Sequence, residues 1–478
     1  MKKVKVKQMN PLKTNTKPKA TAASLFGTRR AKQYMISSSS KSHKNPSSHA
    51  SNLPAFFQKN FGIKTENIRT NTTPKLKTVH KSYYPTQERM IVIGDIHGDL
   101  DKLIDCLVLS KCVKLPGPLP PQEARTNMSM YNFFNGIQWT GGKTFIIQLG
   151  DQIDRVRPDE LDQNNIAVTK AFEDEGSSLH IFYLLWYLNV LAYKHGGRVI
   201  SIIGNHEFMN VNGDFRYVSQ HEFKEYHDAF HRYYDSTTPE YDDHNLVDTI
   251  KKETSAMTNI PPGYLERRIA FHPSGLIANF IGANYKLCIQ VGKWIFIHGG
   301  ITPSLCNSSI CSQNNSISRH LIQGNQNAQS PLFNDNKVFD ESKYTKLINS
   351  HDEDSSPVWN RDFGVMFTED GDREARKLVG KYNLLMKEYN TVNRPYHEKN
   401  KIPTAEYMAI GHSPQFWHGK NINSICNGKV WRCDIGMSRA FIGDREANTD
   451  SALKLRMPTV LEILNDTIIN RLSTVGWS

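Results

Sequence analysis

An α/β fold is predicted by three features of the chain. Five short apolar runs each end at a glycine beside a ligand-type side chain, helical patterns separate several of them, and 478 residues with 38% apolar content can build a substantial core. The first run is "MIVIGDIHGDLDKLIDCL", Met90 to Leu107. It reads as a buried strand, a bend carrying Asp95 and His97, then a helix with Leu100, Leu103, Ile104 and Leu107 on one face.

The same arrangement recurs down the chain. "TFIIQLGDQIDR" from Thr144 ends in Gly150, Asp151, Asp154 and Arg155, and "RVISIIGNHE" from Arg198 ends in Gly204, Asn205, His206 and Glu207. "KWIFIHGG" from Lys293 ends in His298, and "EYMAIGHSPQ" from Glu406 ends in Gly411 and His412. Continuous apolar runs suit strands covered on both faces, and α/β folds gather their sites at strand carboxyl ends. Between the second and third runs, "SLHIFYLLWYLNVLAYKHGG" is apolar nearly all round, as a buried helix would be. Singly, each motif is as readily a turn or a helix cap. Five strand ends bearing six oxygen and nitrogen ligands are poorly explained that way.

Imidazoles and carboxylates without thiolates suit Mn, Fe or Zn, and six ligands imply two ions. A dimetal centre clamps the two sides of an in-line displacement on phosphorus. Asp151 is the natural bridge. Asp95 and His97 then hold one ion, while Asn205, His298 and His412 complete the pair. A water shared by the ions would be the nucleophile, and the protein must protonate the leaving group. His206 is the expected proton donor and Asp154 its orienting partner. Arg155 offers a planar fork to phosphate, and Arg361 in "PVWNRDF" is the candidate second cation.

"GDIHGD", "GDQIDR", "GNHE", "HGG" and "GHSPQ" resemble the signature motifs of calcineurin-like metallophosphoesterases, within them the phosphoprotein phosphatase (PPP) group. "GNHEFMNVNGDFRYVS", "RIAFHPSGLIANFI", "PVWNR" and "KVWRCDIGMSRAF" narrow the resemblance to the Shewanella-like, bacterial-type protein phosphatases, from about Glu88 to Leu472. The resemblance implies a two-sheet β-sandwich flanked by helices (α/β/β/α). It implies Asp95, His97, Asp151, Asn205, His298 and His412 as metal ligands, with Asn205 also near phosphate. It further implies Asp154 and His206 as the proton-donating pair and Arg155 and Arg361 on phosphate. Arg216 and Arg439 lie in matching stretches and are read as structural. Val156 departs from the glycine that eukaryotic members carry, and "GHSPQ" from their Gly-Ala-His form, which puts docking of eukaryotic-type regulatory subunits in doubt.

The expected division is a basic low-complexity arm over 1–85 and a catalytic domain over 86–478. Two insertions stand out in the latter: 213–262, read as a helical cap over the pocket, and the Asn/Ser-rich 304–358, read as loop-like. "VLEILNDTIINRL" reads as a closing hairpin turning at Asn465-Asp466.

The net charge of +12 belongs to the arm, since Met1 to His80 hold 17 Lys and Arg against the single acid Glu66. Such a segment suits an anionic partner, nucleic acid or an import receptor, or simple solvation. No apolar run is long enough to span a bilayer, and seven cysteines without zinc-type pairing fit a reducing compartment; Cys306 and Cys311 are read as free thiols. An intracellular, cytoplasmic protein is expected, with organellar import left open. The function expected is a dimetal-dependent phosphomonoesterase acting on phosphoproteins or phosphopeptides, at Ser/Thr or Tyr. Two alternatives stand beside it: a nucleotide or dinucleoside polyphosphate hydrolase, and an inactive scaffold whose arm binds nucleic acid.

Overall fold

The computed structural model describes residues 81–234, 244–324, 348, 355–365, 371–442 and 446–474. The arm expectation therefore lies almost wholly outside the described residues, as does most of 325–354. Thirteen strands are described: β1 Tyr83–Tyr84, β2 Arg89–Ile93, β3 Val113–Lys114, β4 Gln138–Trp139, β5 Phe145–Gln148, β6 Arg198–Ser201, β7 Cys288–Val291, β8 Trp294–Ile297, β9 Tyr407–Ile410, β10 Asn423–Ile425, β11 Val430–Arg432, β12 Thr459–Leu464 and β13 Ile468–Ser473.

They form two large sheets, ordered β13-β12-β2-β5-β6 and β1-β7-β8-β9-β11-β10, and a small β3-β4 pair. In the five-stranded sheet β2, β5 and β6 are mutually parallel, with Ile91 opposite Ile146 and Ile147 opposite Ile200. In the other sheet β8, β9 and β11 are parallel. All five runs picked out from the sequence are strands, and β5 and β8 are buried at every position. One continuous core takes side chains from both sheets, including Ile91, Ile147, Ile200, Ile295 and Met408.

Helices cover the outer faces. Leu100–Leu109 and Ser178–Tyr193 pack on the five-stranded sheet, and Ile310–Gln323 and Gly371–Asn400 on the six-stranded one. The all-round apolar Ser178–Tyr193 buries every residue of its first two turns. This is the predicted α/β arrangement of two sheets flanked by helices. The closing hairpin is β12-β13, with Asn465 and Asp466 both left-handed (φ 49° and 63°), as a tight hairpin turn requires. No described helix is long and apolar enough to cross a membrane.

Three differences from expectation follow. The boundary at residue 85 falls beyond an ordered strand, because buried Tyr83 and Tyr84 pair with β7. Part of the segment 304–358 is helical: Ser309 caps Ile310–Gln323, whose Ile310, Ile317 and Leu321 are buried. Helix Gly371–Asn400 was not anticipated at all. Within 213–262 lie the helices Gln220–Tyr234 and His244–Glu253.

Candidate metal centre

The parallel strands β2, β5 and β6 point their carboxyl ends to one edge, and so do β8 and β9. Asp95 and His97 follow β2, Asp151 follows β5, Asn205 follows β6, His298 follows β8 and His412 follows β9. All six are buried and brought together. His298 Nε2 lies 3.2 Å from Asp151 Oδ2 and 2.9 Å from Asn205 Oδ1. His97 Nε2 lies 3.9 Å from Asp151 Oδ2 and 4.0 Å from Asp95 Oδ2. The His412 N–H donates to Asp95 Oδ2 at 2.9 Å, and the His298 and His412 rings are 5.0 Å apart.

Tight turns make these approaches possible. His97, Asp151, Asp154 and His412 all have left-handed backbones, with φ of 44°, 50°, 73° and 68°. Non-glycine residues in that region cost about 1–3 kcal/mol each and persist where surrounding contacts over-determine them. Two buried glutamates supply such contacts. Glu207 accepts from the N–H groups of Asp151 (3.0 Å), Gln152 (2.8 Å) and Gly204 (2.7 Å). Glu222, from the helical insertion, accepts from Asp154 N (3.0 Å) and Arg155 N (2.9 Å). Glycine is needed at 204 and 411 for closeness: a Cβ there would sit 2.1 Å from Asp151 Oδ1 and 2.2 Å from Asp95 Oδ1.

The donor set fits metal ions. Each candidate ligand histidine sets one ring nitrogen on a main-chain carbonyl, His97 on Ile153 (3.3 Å), His298 on Leu149 (2.8 Å) and His412 on Trp359 (3.1 Å), while the other nitrogen of His298 meets Asn205 Oδ1 at 2.9 Å. Such partners fix tautomer and orientation in metal sites. Asp95 Oδ1 is buried with no partner, a cost that a cation would remove. Three clusters among the described residues have geometry for an ion; two of them, His97-Asp151-His206 and Asp151-His298-His412, share Asp151, and the third, Asp99-Asp101-Glu175, is paired with Arg439.

The electrostatics divide the histidines: burial opposes protonation of His298, yet the Asp151 carboxylate raises it above the usual imidazole range. Burial, then Arg157 and His206, hold His97 well below the usual imidazole range, and burial, then Arg361 and His298, do the same to His412. Both are therefore neutral, as ligands must be. Burial opposes ionisation of Asp151, but His298 and His206 overcome it and hold its carboxyl well below normal. Burial and then the Asp434 and Asp151 carboxylates push Asp95 well up. So many buried carboxylates in one place are stable only beside compensating positive charge.

His206 Nδ1 meets Asp154 Oδ2 at 2.7 Å, and its Nε2 lies 3.8 Å from Asp151 Oδ2. Asn210 Nδ2 (2.9 Å) and Arg267 Nη2 (3.4 Å) hold the other oxygen of Asp154. Arg361 is half-buried beside His412, its Nη1 donating to the His412 carbonyl at 3.1 Å. Arg155 is placed elsewhere. It is fully buried, 3.5 Å from Asp99 Oδ2, and donates to Ser438 Oγ and the Phe172 carbonyl, both at 3.2 Å. Arg439 binds Asp99, Asp101, Glu173 and Glu175, and Arg216 pairs with Asp214, so both are held structurally.

Sequence reasoning missed Glu207, Glu222, Asn210, Arg267 and Asp434. The last follows β11, the next parallel strand beyond β9, and so repeats the strand-end pattern that located the others. Burial, with Asp151 adding to it, pushes Asp434 up to about 6 against the Gly436 N–H, and its Oδ2 is buried without a partner.

No family model matches the chain. It is 25% identical over 391 residues to Shewanella-like protein phosphatase 2 of Arabidopsis thaliana, covering 79% of this chain and 76% of that one. It is 24% identical over 379 residues to Shewanella-like protein phosphatase 1 of Plasmodium berghei, covering 76% and 72%. Among solved structures, the cold-active protein-tyrosine phosphatase of a psychrophilic Shewanella species aligns at a TM-score of 0.45 and 16% identity, over 84% of this chain and 86% of that one. Similarity sustained along most of both chains relates this protein to the Shewanella-like protein phosphatases.

Proposed function

We propose that the chain is a metal-dependent phosphomonoesterase acting on phosphoproteins or phosphopeptides. The observation that carries this reading is the Asp151 carboxylate shared by two ligand groups drawn from both sheets. The names of the relatives, protein phosphatases, point the same way. Asp95, His97, Asp151, Asn205, His298 and His412 would hold two ions of Mn, Fe or Zn. Such ions supply charge for phosphoryl oxygens and acidify water.

The chain's own residues do the rest. His206 would carry a proton on Nε2, the ring nitrogen that Asp154 does not engage, and deliver it to the leaving oxygen. Asp154, braced by Asn210 and Arg267, fixes the ring. The Asn205 amide lies within reach of a phosphoryl oxygen, and Arg361 presents its remaining donors beside His412. The seven cysteines are all free, which suits an intracellular enzyme.

The test is a metal analysis of the purified protein with kcat/KM measured on phosphoserine, phosphothreonine and phosphotyrosine peptides beside nucleotides and dinucleoside polyphosphates. Peptide hydrolysis that disappears with chelation and returns with Mn²⁺ is expected. A much larger kcat/KM for nucleotides would replace the protein substrate, and no recoverable hydrolysis would leave a binding scaffold.

A further inference from the structure

A buried carboxylate oxygen without a partner is costly, and two of them lie where the large sheets close on each other. Asp95 Oδ1 and Asp434 Oδ2 are both buried with no hydrogen-bond partner. Asp434 follows β11, whose Arg432 pairs with Ile410 of β9, and the Cys433 N–H still donates to the Ile410 carbonyl at 2.8 Å. Two residues beyond that pair, Asp434 comes level with His412 at the ligand-bearing edge. Its main chain also backs onto the end of β2. A Cβ on Gly94 would sit 2.2 Å from the Cys433 carbonyl oxygen and 3.2 Å from the Asp434 Cα, so only glycine lets the two sheets bring Asp434 this close to Asp95.

The charge on Asp434 has no structural use in sight. Its Oδ1 accepts the Gly436 N–H at 2.8 Å, in a turn that a neutral Asn or Ser also makes. Among the described residues no ion pair reaches either oxygen. Other buried carboxylates are compensated: Asp99 has Arg155 and Arg439, and Glu207 has three main-chain N–H groups. Asp434 instead stands near Asp95 and Asp151, whose charges oppose its own. In the metal-free fold that charge is a cost. Beside a cation it becomes a gain.

We propose that Asp434 is a further residue of the metal centre, whose negative charge, acting from beside Asp95, strengthens the hold on the ion that Asp95 and His97 take. This rests on the dimetal reading of the site, but metal binding can be measured without any substrate.

The full-length protein, stripped with chelator and titrated with Mn²⁺ alone, is compared with Asp434→Asn, Asp434→Ser and a control, Asp466→Asn. Asp466 also buries an oxygen without a partner, but it sits at the β12-β13 turn by the amino end of β2, bonded to Thr86 Oγ1 (2.6 Å) and the Lys293 N–H (3.2 Å). Readouts are the calorimetric Kd for each ion, the Mn²⁺ electron paramagnetic resonance spectrum, and the melting temperature with and without Mn²⁺. In Asp434→Asn one Kd should rise about tenfold to a hundredfold, the range for removing an outer partner of a metal site, and the other should change little. At limiting metal the spectrum of a spin-coupled pair should give way to that of isolated Mn²⁺. Without metal the variant should melt at or above the wild type, and with Mn²⁺ it should gain less. A purely structural residue would behave oppositely, with a lower metal-free melting temperature and both Kd values intact. That pattern, unchanged Kd values in Asp434→Asn, or an equal loss of metal in Asp466→Asn overturns the proposal. Should Asp434→Asn fold poorly, Asp434→Ser decides by the same readouts. A wild type that takes up two ions, loses one through Asp434→Asn and yet hydrolyses no phosphopeptide would defeat the functional reading and leave this one standing.

Discussion

Replacing Asp151 by asparagine removes the shared charge of the site while keeping the shape of the side chain. Asparagine tolerates the left-handed backbone at φ 50°, and its amide oxygen can still accept from His206 N, now 3.0 Å from Asp151 Oδ1. The fold should therefore survive, as an alanine substitution would not guarantee. The loss falls on the metals. One charged contact to each of two ions, at about 1.5–3 kcal/mol apiece, weakens binding by roughly 10² to 10⁴. With Mn²⁺ at a hundred times the wild-type Kd, binding stabilises the wild type by about 2.7 kcal/mol; a variant a hundredfold weaker gains only about 0.4 kcal/mol. Denaturation of the stripped proteins with and without Mn²⁺, beside metal content after desalting, reads this directly. Wild-type metal content with normal turnover in Asp151→Asn would refute the shared-ligand geometry.

Arg439→Gln should destabilise the protein by about 3–5 kcal/mol at neutral pH, since Asp99 and Glu175 lose a buried partner. Burial opposes ionisation of Asp99, yet Arg155 and Arg439 hold its carboxyl below the usual value, so their stabilisation is present above the unfolded carboxylate range and lost as pH falls. The gap between variant and wild type should therefore hold from pH 7 to about pH 4 and narrow below it; a gap that widens there contradicts this. His206→Ala should retain metal and slow turnover about 10²- to 10⁴-fold on alkyl phosphates and less on aryl phosphates, and equal losses would remove its proton-donor role. Glu222→Gln turns an amide toward N–H groups that now meet a carboxylate; kcat should fall with metal content intact, and unaltered kinetics would show that Asp154 needs no such clamp. Gly380→Ala, exposed inside helix Gly371–Asn400 with open space around its Cβ, should add about 0.5–1 kcal/mol in urea unfolding, and a loss would mean that the helix is not continuous there.

The strands were legible because they are buried on both faces, so their sequences are continuous apolar runs, and the ligands were legible because each sits at such a run's end. Helix Ile310–Gln323 escaped because its buried face includes Gln313, Asn314 and Ser318. Asn314 Oδ1 accepts the Leu287 N–H at 2.9 Å and its Nδ2 donates to the Cys288 carbonyl at 2.7 Å, covering the end of β7. A helix that buries polar groups to satisfy a strand shows little apolar periodicity. Helix Gly371–Asn400 did carry a signal, since Leu378, Tyr382, Leu385, Met386 and Tyr389 share one face, but the surrounding charge obscures it. The path of Arg155 was not readable. Its motif fixes the backbone, whereas a long side chain goes to the strongest buried charge within reach, and Asp99 is held there by Arg439 from the far end of the chain.

That capture explains why the helical insertion matters to chemistry as well as to shape. Glu222 accepts the N–H groups of both Asp154 and Arg155, so it sets the one backbone turn that sends Asp154 to His206 and Arg155 to Asp99. The next residues inherit the direction: the Val156 N–H donates to the Tyr217 carbonyl at 3.1 Å, and Arg157 emerges between Tyr217 and Phe441. Tyr217 belongs to the insertion, and Phe441 lies in the stretch that also supplies Ser438 and Arg439. A change in either segment should therefore move the His206–Asp154 pair and the half-buried Arg157 guanidinium together, while the candidate ligands after β2, β5, β6, β8 and β9 stay with the sheets. On the proposed assignment, metal binding and substrate handling are carried by separable parts of the chain, so variants in the insertion should alter KM and kcat at unchanged metal content, and variants at strand ends should lose metal first.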